Sequence, residues 1–236
     1  MEKDNKKQNI IIYNTADDRG FPKILSQYLW NISDSALTLI KISTMTAVLE
    51  RTVKTLTDNE FAQFCREHRD FRIEKDKHGK ITIMEPTNSE AGGYNNEINY
   101  EVTHWNRQNK MGKTFDSSTG FKLPNGATRS PDVTWILKER WEQLSPEQRQ
   151  SFAQLPPDFV IELRSSVDDN LKDLKEKMVE YIDNGVRLGW LLDRFEGKAH
   201  VYRADGSISI FKNFDTDVLS GEDVLPNFVL HLSILK

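Results

Sequence analysis

Cysteine is almost missing from this chain: among 236 residues Cys65 stands alone. No internal disulfide can form and no zinc site can rest on thiolates, a usage that fits a reducing compartment, and the cytoplasm is the expected location. An excess of positive charge is missing as well. The 32 Lys and Arg against 36 Asp and Glu leave a net charge of −4, so the whole molecule has no attraction for a phosphate backbone or an anionic lipid surface. Any nucleic-acid site has to be a local patch. Long apolar runs are absent too: the stretch Ala36 to Leu49 is broken by Lys41 and by Ser and Thr, well short of the ~20 apolar residues of a spanning helix. Met1 to Ile12 carries charge but too short an apolar run for a secretory signal. No membrane partner is expected. There is no glycine-rich phosphate loop and no GxSxG elbow. His68, His78, His104, His200 and His231 are scattered without metal-ligand spacing.

What is present suffices for a core. Hydrophobic residues make up 37% of the chain and charged residues 29%, with a mean hydropathy of −0.61, the profile of an ordered globular domain with a polar surface. Residues 1–44 show no clear period and precede a second methionine, Met45, whose following segment reads like an ordinary protein start. The expected division is an N-terminal extension over 1–44 and one domain over 45–236, with Met45 as the true or an alternative initiator.

From Leu56 the local signals sharpen. Thr57 and Glu60 form a capping box for a helix through about Glu67. Phe71-Arg72-Ile73 and Ile81-Thr82-Ile83, separated by Asp76-Lys77-His78-Gly79, read as a hairpin. A longer helix is expected from about Tyr94, after Gly92-Gly93, to Asn109, with Tyr94, Ile98, Val102 and Trp105 on one face. A strand follows at Asp132 to Ile136, then a short helix capped by Ser145 with Pro146 at its first position. Phe159-Val160-Ile161-Glu162-Leu163 has the composition of a strand buried on both faces. With the helix from Asp168 to Asn184 and the strand Leu188 to Leu192 it forms a βαβ-like unit, and a hairpin over 199–210 closes the sheet.

The chemistry lies in Ser130-Pro131-Asp132, in Glu162 thirty residues on, and in Lys177 on the next helix. Glu162 is the anomaly, because an acid inside an apolar strand has to meet a cation, a metal or a proton. If the two strands pair, Asp132 and Glu162 converge, and two carboxylates with water and a phosphate oxygen suit Mg²⁺. The blander reading pairs Glu162 with Arg164 or Arg129 as an internal salt bridge. Asp173, Lys177 and Tyr181 recur at four-residue intervals along one helix edge, so Lys177 either reaches the sheet or pairs with Asp173 at the surface.

SPDVTWI, PDFVIELRSS and LKEKMVEYIDNGVRLGWLLD, in this order, resemble the Uma2 family of the PD-(D/E)XK nuclease superfamily, over roughly Leu56 to Leu232. The resemblance implies an α/β fold with a restriction-endonuclease-like PD-(D/E)XK core, a mixed central β-sheet flanked by α-helices and a site at one sheet edge. It implies a metal-dependent endonuclease acting on phosphodiester bonds, with DNA as the expected substrate and Mg²⁺ or Mn²⁺ as the cofactor. Carried over by position, Asp132 and Glu162 match the two metal-binding acids, and Arg164 replaces the lysine expected two residues after the second acid. The lysine's role matches Lys177 on the helix, and Glu97 in NNEI matches a helical glutamate that orients water or metal. Arginine stays charged, so Arg164 can bind phosphate but cannot act as a base. A homodimer would suit cutting of two antiparallel strands. The alternative is a catalytically inactive nuclease-fold module for binding or oligomerisation. A basic strip from Lys172, Lys175, Lys177, Arg187, Arg129 and Arg164 would favour the nuclease. Trp141 is a candidate for an exposed position beside the site.

Overall fold

The structure is a computed structural model that describes residues 56–84 and 86–236; the N-terminal extension and Met45 lie outside the described residues. Helix α1 (Asp58–Glu67) starts at the Thr57 capping box, with the Glu60 carboxylate accepting from Thr57 N at 2.8 Å. It buries Phe61 and Phe64 against Ile73 of β1 (Arg72–Lys75) and Ile83 of β2 (Ile81–Met84), forming a small core of its own. Two short strands, β4 (Phe121–Lys122) and β5 (Thr128–Arg129), complete a sheet of order β2-β1-β5-β4.

Helix α2 (Ser89–Asn109) begins ahead of Gly92-Gly93 rather than after them. Glycine inside a helix costs roughly 1 kcal/mol relative to alanine, but Asn88 caps the end by accepting from Ala91 N at 2.9 Å, and Ala91 is fully buried. The cap and the burial outweigh the glycine penalty. Ile98, Val102 and Trp105 form the buried face.

The main sheet runs β10-β9-β8-β7-β6-β3. Its strands are β3 (Gly112–Asp116), β6 (Val133–Leu137), β7 (Phe159–Leu163), β8 (Leu188–Asp193), β9 (Lys198–Arg203) and β10 (Ile208–Phe211). Among the described strands of this sheet only β7 and β8 pair in parallel, joined by the crossover helix α5 (Leu171–Asp183). On one face α5 lays Met178 and Tyr181 over Val160, Leu191 and Tyr202. On the other, α2 packs with a C-terminal layer of β11 (Val218–Ser220), β12 (Val229–His231) and a 3-10 turn at Leu232–Leu235. Trp190 sits between Phe159 and Phe228 there, stacked on the latter at 5.9 Å. These last strands are too short to show a period, which is why the sequence pattern does not announce them.

Two helices connect β6 to β7: α3 (Lys138–Glu142) and α4 (Pro146–Arg149), the second capped by Ser145 as its sequence requires. Trp141 packs on Phe115, with Lys113 and Arg149 over its ring. It follows the last residue of β6, whereas Asp132 precedes the first, so Trp141 is not beside the acids. The site is not at a sheet edge either. Gly112 to Asp116 pairs along the whole of β6, which makes β3 the outer strand and leaves β6 and β7 in the interior. Among the described residues no helix is long and apolar enough to cross a membrane.

Candidate active site

The antiparallel register pairs Val133 with Ile161, and one step further along each strand sets Asp132 beside Glu162. The main chain reinforces this, since Leu163 N donates to Asp132 Oδ2 at 2.8 Å. Arg72 of β1 donates to the other oxygen of Asp132 at 2.7 Å. From above, α5 contributes two side chains one turn apart: Lys177 Nζ lies 2.8 Å from Glu162 Oε1, and the Tyr181 hydroxyl donates to the same oxygen at 2.8 Å. Asp173 is exposed and Lys177 turns away from it, because a buried carboxylate on the sheet is the stronger partner. Glu162 therefore pairs with Lys177, not with Arg164 or Arg129.

A third acid, Glu74 of β1, has no counterpart in the sequence reading. Its Oε1 accepts from Lys177 Nζ at 2.9 Å and from Ser130 N at 2.9 Å, and its Oε2 from Arg129 at 3.2 Å. Arg129 also binds Glu180 of α5 through Nε at 2.7 Å. The signal was available in the period of two along β1: Ile73 faces the α1 core, so Arg72 and Glu74 must face the opposite side. A charged pair on the inner face of a hairpin is a site candidate by the same reasoning that singled out Glu162.

Three acids and three cations thus share one nearly dry space. Burial opposes the charge on Glu74, but Lys177, Arg129 and Arg72 together overcome it and hold its carboxyl down at about 2. Glu162 goes the other way: burial raises it, Lys177 offsets this only in part, and the nearby Asp132 and Glu74 charges add to the rise. Burial, with the Glu162 and Glu74 charges, also pushes the Tyr181 phenol well up, so it serves as a hydrogen-bond donor. Glu74 is the settled anion of the cluster, and Glu162 is the one in want of a further cation.

The remaining candidates lie elsewhere. Glu97 is exposed on α2, and among the described residues no hydrogen bond or ion pair connects it to Asp132, Glu162 or Lys177. The α2 residues that share a groove with Asp132 include Asn95 and Asn99, on the other side of the helix's buried stripe, and do not include Glu97. Arg164 does not face the site: it binds Asp193 Oδ2 at 3.1 Å and the carbonyls of Val167 and Asp169. Five of the six cations of the anticipated basic strip are paired with acids: Lys172 with Glu176, Arg187 with Asp223, Arg129 with Glu74 and Glu180, Arg164 with Asp193, and Lys177 with two acids; Lys175 makes no ion pair with any described residue.

Among the described residues no three His, Cys, Asp or Glu side chains converge on a ready metal position. The donors present are all oxygen: the Asp132 and Glu162 carboxylates, and Asn95 Oδ1, which is buried without a hydrogen-bond partner and lines the groove that Asp132 also lines. Hard oxygen donors, one orphaned and one on a carboxylate short of positive charge, fit a hard divalent cation and not a soft one.

Paired acids at the ends of two interior strands, covered by the crossover helix that brings in a lysine, define a restriction-endonuclease-like α/β protein. A family model, Uma2, described as "Putative restriction endonuclease", matches residues 58–233, and the chain belongs to that family. A crystal structure from Anabaena variabilis, titled as a putative nuclease belonging to DUF820, superposes with a TM-score of 0.59 at 17% identity. It covers 69% of this chain and 88% of that one. That likeness is one of fold. No curated protein matches the chain.

Proposed function

We propose that the protein is a metal-dependent endonuclease that hydrolyses phosphodiester bonds of DNA, with its centre at Asp132, Glu162 and Lys177. The observation that carries this reading is the single ammonium of Lys177, 2.8 Å from Glu162 and 2.9 Å from Glu74, above the strand ends where Asp132 also lies. Asp132 and Glu162 would hold Mg²⁺ or Mn²⁺, and the bound metal would supply an activated water and a Lewis acid for the phosphate. Glu74 holds Lys177 in place, and Lys177 places a cation where negative charge grows on the phosphate. Tyr181 fixes one oxygen of Glu162, and the Leu163 amide fixes one of Asp132. Arg72, partly exposed and on the outer oxygen of Asp132, can pass from carboxylate to phosphate in its planar fork.

The test is nicking of supercoiled plasmid at low salt with Mg²⁺ or Mn²⁺, run beside Asp132→Ala and Glu162→Ala proteins purified identically. Cleavage by the unmodified protein that is lost in both variants supports the reading. Cleavage that survives in both variants overturns the site. The internal pairing of the cations favours a second reading, a nuclease-fold module that binds without cutting; absence of cleavage together with absence of metal binding by calorimetry would support it.

A further inference from the structure

The groove that ends at Asp132 has a volume of about 450 Å³ and runs beside α2. Its wall along the helix is made of two stripes at four-residue spacing, Asn95-Asn99-Thr103 and Asn96-Tyr100-His104, with Arg107 at the far end. At 1.5 Å per residue the wall from Asn95 to Arg107 is ~18 Å long. Amides and hydroxyls dominate it. Arg107 is exposed and makes no ion pair with any described residue, whereas Asp116, which also lines the groove, accepts from Ser118. Tyr100 is 56% exposed and lies flat on His104, with ring centroids 5.5 Å apart and 22° between planes. His104 is itself held by Gln108 at 2.9 Å. A supported aromatic platform therefore stands open in a polar groove that Asp132 also lines.

We infer that this groove binds an unpaired DNA strand, with a base stacked on Tyr100 and a phosphate on Arg107, and delivers the next stretch of backbone to Asp132. Two observations exclude an intact duplex as the preferred occupant. Duplex binding draws its affinity from many phosphate contacts to cations, and here the net charge is −4, the cations flanking the site are paired with acids, and the groove offers one free arginine among the described residues. In a duplex the bases also stack on one another and present no face to a side chain, whereas single-strand binding draws on stacking with aromatic rings and tolerates any sequence. The amides of Asn96 and Asn99 suit donation to sugar and phosphate oxygens without demanding a particular base. This inference rests on the nuclease reading for the role of Asp132, but it makes its own claim about what fills the groove.

The experiment is fluorescence anisotropy of a fluorescein-labelled dT12 strand and of a labelled 12-base-pair duplex on the full chain, in EDTA so that nothing is cut. The same plasmid nicking assay is run on each protein. The expected result is tighter binding of dT12 than of the duplex, roughly tenfold or more weakening of dT12 in Tyr100→Ala, and near-normal binding in Tyr100→Phe, which keeps the platform. Arg107→Gln should weaken dT12 and flatten the salt dependence by about one phosphate contact. Equal or tighter binding of the duplex, or dT12 affinity unchanged in Tyr100→Ala, overturns the inference. If nicking is nevertheless lost in Asp132→Ala, the nuclease reading stands without it. If dT12 binds as described while no protein nicks, the groove stands and the nuclease reading falls.

Discussion

Replacing Glu74 and Glu162 in turn by glutamine makes the same chemical change at two carboxylates that share one lysine, and the structure requires opposite outcomes. Glu74 is 3% exposed and satisfied by Lys177, Arg129 and the Ser130 amide. A carboxyl held at about 2 against an ordinary 4.5 corresponds to about 3 kcal/mol of stability at neutral pH. Breaking a buried ion pair by removing one partner costs ~3–5 kcal/mol, which agrees. For a domain of this size that is a fall in melting temperature of roughly 6–12 °C. The pH dependence follows from the depressed value: the contribution is complete above about 4.5 and is lost as the pH falls toward 2, so Glu74→Gln and the unmodified protein should converge in acid. Glu162 has a raised carboxyl, so ionising it destabilises the metal-free fold: the penalty is absent below about 4.5, grows above it and is complete once the pH has passed the raised value. Glu162→Gln should melt at the same temperature or higher at pH 7. The assay is thermal unfolding by circular dichroism in EDTA at pH 7 and pH 3. A Glu74→Gln protein within 2 °C of the unmodified one at pH 7, or a Glu162→Gln protein that melts well below it, would refute this account of the cluster.

Lys177→Met should retain the fold and lose roughly 10²-fold or more in turnover, measured in single-turnover cleavage; in combination with Glu74→Gln its effect on stability should fall short of the sum, because the two side chains form one pair. Asp193 is completely buried, pairs with Arg164 and accepts from Phe195 N and Glu196 N at 3.0 Å, so Asp193→Ala should cost about 3 kcal/mol in urea unfolding and leave Mg²⁺ binding by calorimetry unchanged. The Cys65 thiol is pushed up to about 11 by burial, so alkylation by iodoacetamide at pH 8, followed by mass spectrometry, should be slow in the native protein and fast after denaturation. Rapid native reaction would place Cys65 outside the α1 core.

The strands and helices that carry the acids were legible because their signals are local. An apolar run with one acid, a helix with a stripe of Leu171, Leu174, Met178 and Ile182, and a second apolar run specify β7, α5 and β8 within about 35 residues, and the capping boxes at Thr57 and Ser145 appear as their residues dictate. Asp132, Glu162 and Lys177 come together because that unit pairs with its neighbouring strand in the only register that buries both apolar faces.

Tertiary structure decided the rest. Glu74 reaches Lys177 across 103 residues of chain, and nothing local says that the β1–β2 hairpin will fold its charged side onto the end of another sheet. Arg164 is two residues from Glu162 but is drawn to Asp193 of the parallel neighbour, a partner that strand pairing supplies. The stripe of Ile98, Val102 and Trp105 specifies which face of α2 is buried, and that stripe has two polar borders: one carries Glu97 and Glu101, the other Asn95 and Asn99. Helical periodicity is symmetric about the stripe, so sequence determines that a border must line the groove. Only the direction in which α2 crosses the sheet determines that it is the asparagine border, with Tyr100 beside it, that faces Asp132.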